Sequence, residues 1–190
     1  GGLIGMLSKT MLVPDLNLGI IVLTNTYLDG AGVFSVVTQS LLDKYLGLDD
    51  FDWIGTYAKR LNQGASEADA VEAKIWATIA AVNTAIIDNK NYAGLYKDPW
   101  FGNIEIYEKD QQLWFRSLRS PKLSGPMQFY RANTFVVKWP ASGLTDADAF
   151  IMFQLDEEGK AQGFKMKGIS PAIDFSFDFQ DLHPMRIDNQ

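Results

Sequence analysis

Two apolar runs, residues 3–12 and 17–25, flank Val13-Pro14-Asp15-Leu16. Pro-Asp is a turn signal, and the second run is rich in β-branched residues, so the pattern predicts a β-hairpin. The second run is apolar on both faces, which suits a strand covered on both sides. Tyr27-Leu28-Asp29-Gly30 reads as a loop. Over 31–46, Val33, Val37, Leu41 and Tyr45 recur every four residues and make one helical stripe. Asp29 stands where a helix cap is expected and Gly47 where a stop is expected. Asp49 to Gly64 has no clear period and reads as a connector. A second helix opens at Ser66, with Asp69 three residues on in the manner of a capping box. Glu67, Asp69 and Glu72 put negative charge in its first turn, where the helix dipole favours it. Its stripe is Val71, Ile75, Ile79, Val82 and Ile86, alanine fills much of the rest, and the end falls near Asp88.

From Tyr92 the period changes to two. Ile104 and Ile106 alternate with polar or aromatic neighbours, as do Leu113 and Phe115, and Phe175, Phe177 and Phe179. Further strands are expected at 126–131, 134–139, 149–155 and 162–168, with turn signals at Lys109-Asp110, Ser142-Gly143 and Glu157-Glu158-Gly159. Short strands at such spacing predict an antiparallel barrel of about eight strands, which also removes exposed edges. The fold class is therefore α+β, mainly an antiparallel β-barrel preceded by helices and a hairpin. Residues 1–50 hold the hairpin and first helix, 51–90 the connector and amphipathic helix, and 91–190 the barrel. A lone hairpin is marginal, so residues 1–50 read as a remnant of something larger.

Composition narrows the function classes. The chain has 190 residues and no cysteine, which excludes a disulfide framework, a thiol nucleophile and a thiolate metal site. A net charge of -6 without a basic stripe argues against nucleic acid as a partner. The longest apolar run, 18–24, is far shorter than the ~20 residues of a membrane span. No charged segment followed by an apolar one marks a signal peptide. The opening Gly1-Gly2-Leu3 without an initiator methionine suggests a fragment, or a Gly1 left by tag removal.

Gly1-Gly2-Leu3-Ile4-Gly5-Met6, then Pro14-Asp15, then Gly19-Ile20-Ile21-Val22-Leu23-Thr24-Asn25 resembles the end of the serine β-lactamase and penicillin-binding-protein fold. There a Gly-Gly-x-x-Gly-Phe strand and a Pro-Asp or Pro-Glu turn lead to a Gly-x-x-Val-x-x-Asn strand and a C-terminal helix. The resemblance implies that Gly1 is the third residue of a Lys-Thr-Gly or His-x-Gly motif, and that Gly1 and Gly2 border the parent's site. The nucleophile motif Ser-x-x-Lys would precede this chain. Ser35, Ser66, Ser117 and Ser170 have no lysine three residues later, and Ser8-Lys9-Thr10 has no following glycine. Serine acylation then belongs to a missing N-terminal catalytic domain, and this chain alone is expected to be inactive.

Tyr92-Ala93-Gly94-Leu95-Tyr96, Asp98-Pro99-Trp100-Phe101-Gly102, Phe135-Val136-Val137-Lys138-Trp139 and Asp174 to Phe179 resemble the lipocalin-like domain appended to many β-lactamase-like peptidases and esterases. Gln128-Phe129-Tyr130 stands where that family usually has His-Trp. The resemblance implies an accessory role in substrate access, stability or oligomerisation, and export to the periplasm or exterior.

Single residues add little chemistry. His183 is the only histidine and has no partner in sequence. Asp174, Asp178 and Asp181 are a candidate carboxylate cluster, but only Asp174 and Asp178, four apart on a strand, share a face, and two are too few for a hard cation, so no metal or cofactor is expected. Trp100, Trp114 and Trp139, with Phe101, Phe115, Phe129 and Phe135, are candidates for an apolar ligand cavity or, more simply, a packed core. Arg116, Arg119, Lys122 and Arg131 are candidates for an anionic group or a solvated face. The main reading is a non-catalytic region of a serine hydrolase; the alternative is a carrier of a small apolar ligand. Apolar strands built for a larger sheet are also expected to pair with a second copy or exchange their hairpin.

Overall fold

The computed structural model describes all residues except 4, 27, 28, 83–86, 141–146, 174–176, 178 and 188–190. Ile4, the Tyr27-Leu28 part of the loop, Ile86 of the second stripe, the Ser142-Gly143 turn, and Asp174, Phe175, Ser176 and Asp178 lie outside the described residues. The chain forms two units, Gly1–Ser66 and Glu67–Gln190.

In the first unit β1 (Gly2–Leu3), β2 (Met6–Val13) and β3 (Leu18–Thr24) make an antiparallel sheet in that order. The expected hairpin is β2–β3, in register from Leu7 opposite Thr24 to Val13 opposite Leu18. Its turn is a 3-10 segment, Pro14–Leu16, ended by Asn17 at φ 47°. Directly opposed residues share a face. Leu7, Lys9, Ile20, Val22 and Thr24 face α1 (Gly30–Leu46), where Lys9 Nζ lies 5.4 Å over the Phe34 ring. The other face carries Leu3, Met6, Leu12, Ile21 and Leu23, all exposed, Leu23 by 77%. β3 is thus apolar on both sides as its sequence suggests, yet only one side is covered.

The stripe Val33, Val37, Leu41 and Tyr45 is on the exposed side of α1; the buried residues are Gly30, Gly32, Ser35 and Thr38. Small residues let the helix approach closely. A Cβ on Gly30 would meet Thr24 Oγ1 at 2.7 Å, and one on Gly32 would meet Leu61 at 2.7 Å. Spacing finds a stripe but not which stripe a neighbour fills. Gly47 does end the helix, in the left-handed region at φ 67°, while Asp29 contributes no side-chain cap.

The second helix is longer than its pattern predicts. α2 runs Trp53–Ala81, so the expected connector is helical from Trp53 and the Ser66/Asp69 box lies inside the helix. The start is set by Asp52, whose Oδ1 accepts the Gly55 N–H at 2.8 Å and whose carbonyl accepts the Thr56 N–H at 3.1 Å. Trp53 Nε1 donates to Asp43 Oδ2 at 2.6 Å. Gly55 and Gly64 interrupt the apolar period there and hide the helix from pattern reading.

The second unit is a closed, fully antiparallel barrel of eight strands: β4 (Gly94–Asp98), β5 (Gly102–Lys109), β6 (Gln112–Ser117), β7 (Ser124–Arg131), β8 (Thr134–Val137), β9 (Ala149–Leu155), β10 (Ala161–Gly168) and β11 (Met185–Arg186). Of the expected strand through Phe175, Phe177 and Phe179, the last two are described, and neither lies in a strand. Phe179 starts a 3-10 turn, Phe179–Asp181, and packs its buried ring 6.4 Å from that of Trp139. Closure falls to β11, between β10 and β4.

Alternation fills the interior. Tyr96, Phe115, Phe153 and Phe164 are fully buried, and Tyr92 sets its ring edge-on to Phe135 at 5.0 Å and Phe153 at 4.9 Å. Each such ring contributes about 1.5–3 kcal/mol on burial. Outside, Val136, Tyr130 and Phe150 pack against Ile75, Trp76 and Ile79 of α2. Two glycines permit close approaches: a Cβ on Gly125 would lie 1.9 Å from the Lys138 carbonyl, and one on Gly94 would lie 2.1 Å from Arg186 Nη1. Gly125→Ala is expected to destabilise the barrel by more than 3 kcal/mol, on the order of the worst core overpacking. Urea unfolding followed by tryptophan fluorescence measures it; a loss under about 1 kcal/mol would contradict this account of β7 and the Lys138 carbonyl.

Candidate functional site

The structure scatters the residues that sequence reasoning singled out. Gly1 and Gly2 lie on the exposed β1 edge, where the Ser8 N–H donates to the Gly1 carbonyl at 2.7 Å. Trp100 is exposed on the β4–β5 turn, and Arg119 Nη1 donates to its carbonyl at 2.7 Å. Trp114 is half-buried on the outer face of β6, with Lys109 Nζ 4.8 Å over its ring. Trp139 is buried, its Nε1 donating to the Ala147 carbonyl at 2.6 Å. Arg116 pairs with Glu105 on the outer face, and that hydrogen bond, then the charge of Glu105, raises its pKa. Arg131 ends β7 over the Tyr130 ring at 5.1 Å. Phe115 and Phe135 belong to the core, with Phe101 and Phe129 packed against it, and Lys122 is exposed. None of the five candidates Trp100, Trp114, Trp139, Arg116 and Arg131 is among the residues lining the two clefts described below. Among the described residues no group of His, Asp and Glu converges as a metal site; Asp174 and Asp178 are not among them.

Two residues that the sequence reading passed over organise the barrel seam. Asp98 is buried at the end of β4. Its Oδ1 accepts the N–H groups of Trp100 and Phe101 at 2.8 and 2.7 Å, and its Oδ2 accepts the N–H of His183 at 2.8 Å. Burial pushes the Asp98 pKa up, but the N–H donors of Phe101, His183 and Trp100, with the His183 charge, outweigh it and hold the carboxyl below its ordinary value. His183 thus acts on Asp98 chiefly through its backbone N–H, and its side chain is exposed. Arg186, on β11, donates from Nη1 to the Ala93 carbonyl at 2.9 Å and from Nη2 to the Asn91 carbonyl at 3.1 Å and to Tyr96 Oη at 2.7 Å. Its Nε donates to the Ala161 carbonyl on β10. Tyr96 Oη donates in turn to the Tyr92 carbonyl at 2.6 Å, and burial raises its pKa against the opposing pull of Arg186. The legible signal was the motif itself: in Tyr92-Ala93-Gly94-Leu95-Tyr96 the glycine clears the guanidinium and the second tyrosine receives it.

Two clefts open on the second unit. One, of about 500 Å³, follows β10 and is lined by Met152, Lys165, Lys167, Ser170, Ile173 and Phe177. Ser170 Oγ there accepts the Ala172 N–H at 3.2 Å, so it serves a turn. The other, of about 410 Å³, lies at the barrel rim beside Ile79 and Val82. Among the described residues its lining also includes the apolar Leu113, Met127, Phe129 and Phe135 and the carboxamides Asn89, Gln111, Gln112 and Gln128.

The profile of a domain of unknown function, DUF3471, matches residues 87–186, a span that begins ahead of β4 and ends on Arg186. A search of the curated proteins finds no match.

A carboxyl with a lowered folded pKa adds stability above its unfolded value, about 3.9, and that stability is lost as pH falls through the folded value. Asp98 therefore contributes fully at neutral pH and progressively less below about pH 4. In Asp98→Asn one carboxamide position faces an N–H with a donor, so a loss of about 1–3 kcal/mol at pH 7 is expected, shrinking toward pH 3. Urea titrations of both proteins across that pH range measure it; a pH-independent difference would refute the assignment.

Proposed function

The chain belongs to the DUF3471 family, and we propose that it is the non-catalytic C-terminal region of a β-lactamase-like serine hydrolase, with the barrel as its accessory domain. In this reading residues 1–50 close the sheet of the hydrolase domain, residues 51–90 connect, and the barrel governs access, stability or association. The parent reaction is acyl transfer to serine and hydrolysis of a peptide, amide or ester, in an exported protein.

The observation that carries the reading is the uncovered sheet face. Leu3, Met6, Leu12, Ile21 and Leu23 stand in the open on one side of three short strands. Apolar strands of this kind are built to be covered, and the remainder of a larger sheet and its helices would do so. The sequence supports the non-catalytic part, since none of Ser35, Ser66, Ser117 and Ser170 precedes a lysine by three. The alternative of a small apolar ligand held within the barrel has against it an interior occupied by Phe115, Phe153 and Phe164.

The purified chain is expected to hydrolyse neither a chromogenic β-lactam nor a p-nitrophenyl ester above the buffer rate. Saturable turnover proportional to protein would overturn the reading. The chain is also expected to enhance an apolar fluorescent dye, and the double change Ile21→Lys, Leu23→Lys to abolish most of that signal. The coding region ahead of Gly1 decides the parentage: Ser-x-x-Lys, then Tyr-x-Asn, then Lys or His two residues before Gly1 is the expected order.

A further inference from the structure

Two adjoining turns at one end of the barrel hold apolar side chains out in solvent on an ordered backbone. Trp100, on the β4–β5 turn, is 61% exposed, and Leu118, at the start of the β6–β7 turn, is 47% exposed. The backbone of Trp100 is held on both sides. Its N–H donates to the buried Asp98 carboxylate at 2.8 Å, and its carbonyl accepts from Arg119 Nη1 at 2.7 Å. The Leu118 N–H donates to the Asn103 carbonyl at 2.9 Å, and the Ser120 N–H donates to Ser117 Oγ at 3.1 Å. Burying a carboxylate is costly, and here it fixes a turn whose tip is a large ring in water. A ring on an already ordered backbone loses little further freedom on binding.

Charge indicates what the ring meets. Residues 97–103 and 117–124 carry three exposed cations, Lys97, Arg119 and Lys122, and one acid, Asp98, which is buried. Among the described residues none of the three cations pairs with a carboxylate. This local excess of positive charge stands in a chain of net charge -6, so it is not the general character of the surface. Two short turns fall well below the roughly 20–30 residues that a stable protein interface takes from each side. A lipid surface, by contrast, shapes itself to a single ring. Tryptophan suits the boundary where one end is apolar and the other wet, and basic side chains are drawn to anionic headgroups.

We propose that this end of the barrel docks on an anionic lipid surface. Trp100 and Leu118 enter the boundary between headgroups and acyl chains, and Lys97, Arg119 and Lys122 lie against the headgroups. A single apolar anchor holds only marginally, and a basic patch beside it supplies the second signal. The inference concerns the second unit and does not rest on the proposed parentage.

The test is flotation of the full chain with vesicles of phosphatidylglycerol and phosphatidylcholine, or of phosphatidylcholine alone. It is run in the Ile21→Thr, Leu23→Thr background, so that the open sheet face contributes little. Saturable binding to the anionic vesicles alone is expected, falling as salt rises. Brominated lipid should quench part of the tryptophan fluorescence. Trp100→Ala should weaken binding roughly 10-fold and remove that quenching, with the midpoint of thermal unfolding unchanged because the ring is exposed. Lys97→Gln and Lys122→Gln should each weaken binding roughly 5-fold, the worth of one basic residue near such a surface. Equal binding to both kinds of vesicle, or undiminished binding and quenching in Trp100→Ala, would overturn the proposal. Binding to neither would overturn it too, and would leave these turns to a protein partner. The hydrolase parentage is decided separately, by the upstream sequence.

Discussion

A barrel closed by a strand of two residues has almost no ladder with which to hold its seam, so side chains must join it. Arg186 does most of this. One guanidinium reaches carbonyls before β4 and on β10, and a tyrosine hydroxyl on β4 itself. A lysine has one point of charge and no fork, and would not span these acceptors. Asp98 secures the other end of the seam by collecting N–H groups from the β4–β5 turn and from the segment that leads into β11. The ring-on-ring packing of the interior depends on these two polar joins, because an open seam would admit water to Tyr96 and Phe164.

Much of this was legible in the chain and some was not. Period-two alternation located most barrel strands, since inward residues such as Ile104, Ile106, Leu113 and Phe115 repeat at the pitch of a pleat. It failed at the seam. Met185-Arg186 is too short to show a period. The first half of α2 was hidden by two glycines, although Asp52 at its start is a recognisable cap. In α1 the periodicity marked Val33, Val37, Leu41 and Tyr45, while contact with the sheet selected small residues that carry no hydropathy signal. For the site, the conspicuous aromatic and basic residues proved to serve separate places. The consequential ones, Asp98 and Arg186, look ordinary until their backbone partners are known.

The two units spend their apolar residues differently. In the barrel nearly every large apolar side chain that faces inward finds rings or methyls around it, and one outer patch is closed by Ile75 and Trp76 of α2. In the first unit the sheet has one covered face and one open face of comparable apolarity.

The seam has one more consequence. β11 pairs with β4, and Arg186 Nη2 reaches the carbonyl of Asn91, so the polypeptide enters and leaves the barrel at neighbouring points. A body whose ends meet in this way can be spliced into a host sequence, or relieved of one, without rethreading any strand. Portability of that kind lets a fold travel between unrelated neighbours as cargo, its interior indifferent to what it is attached to.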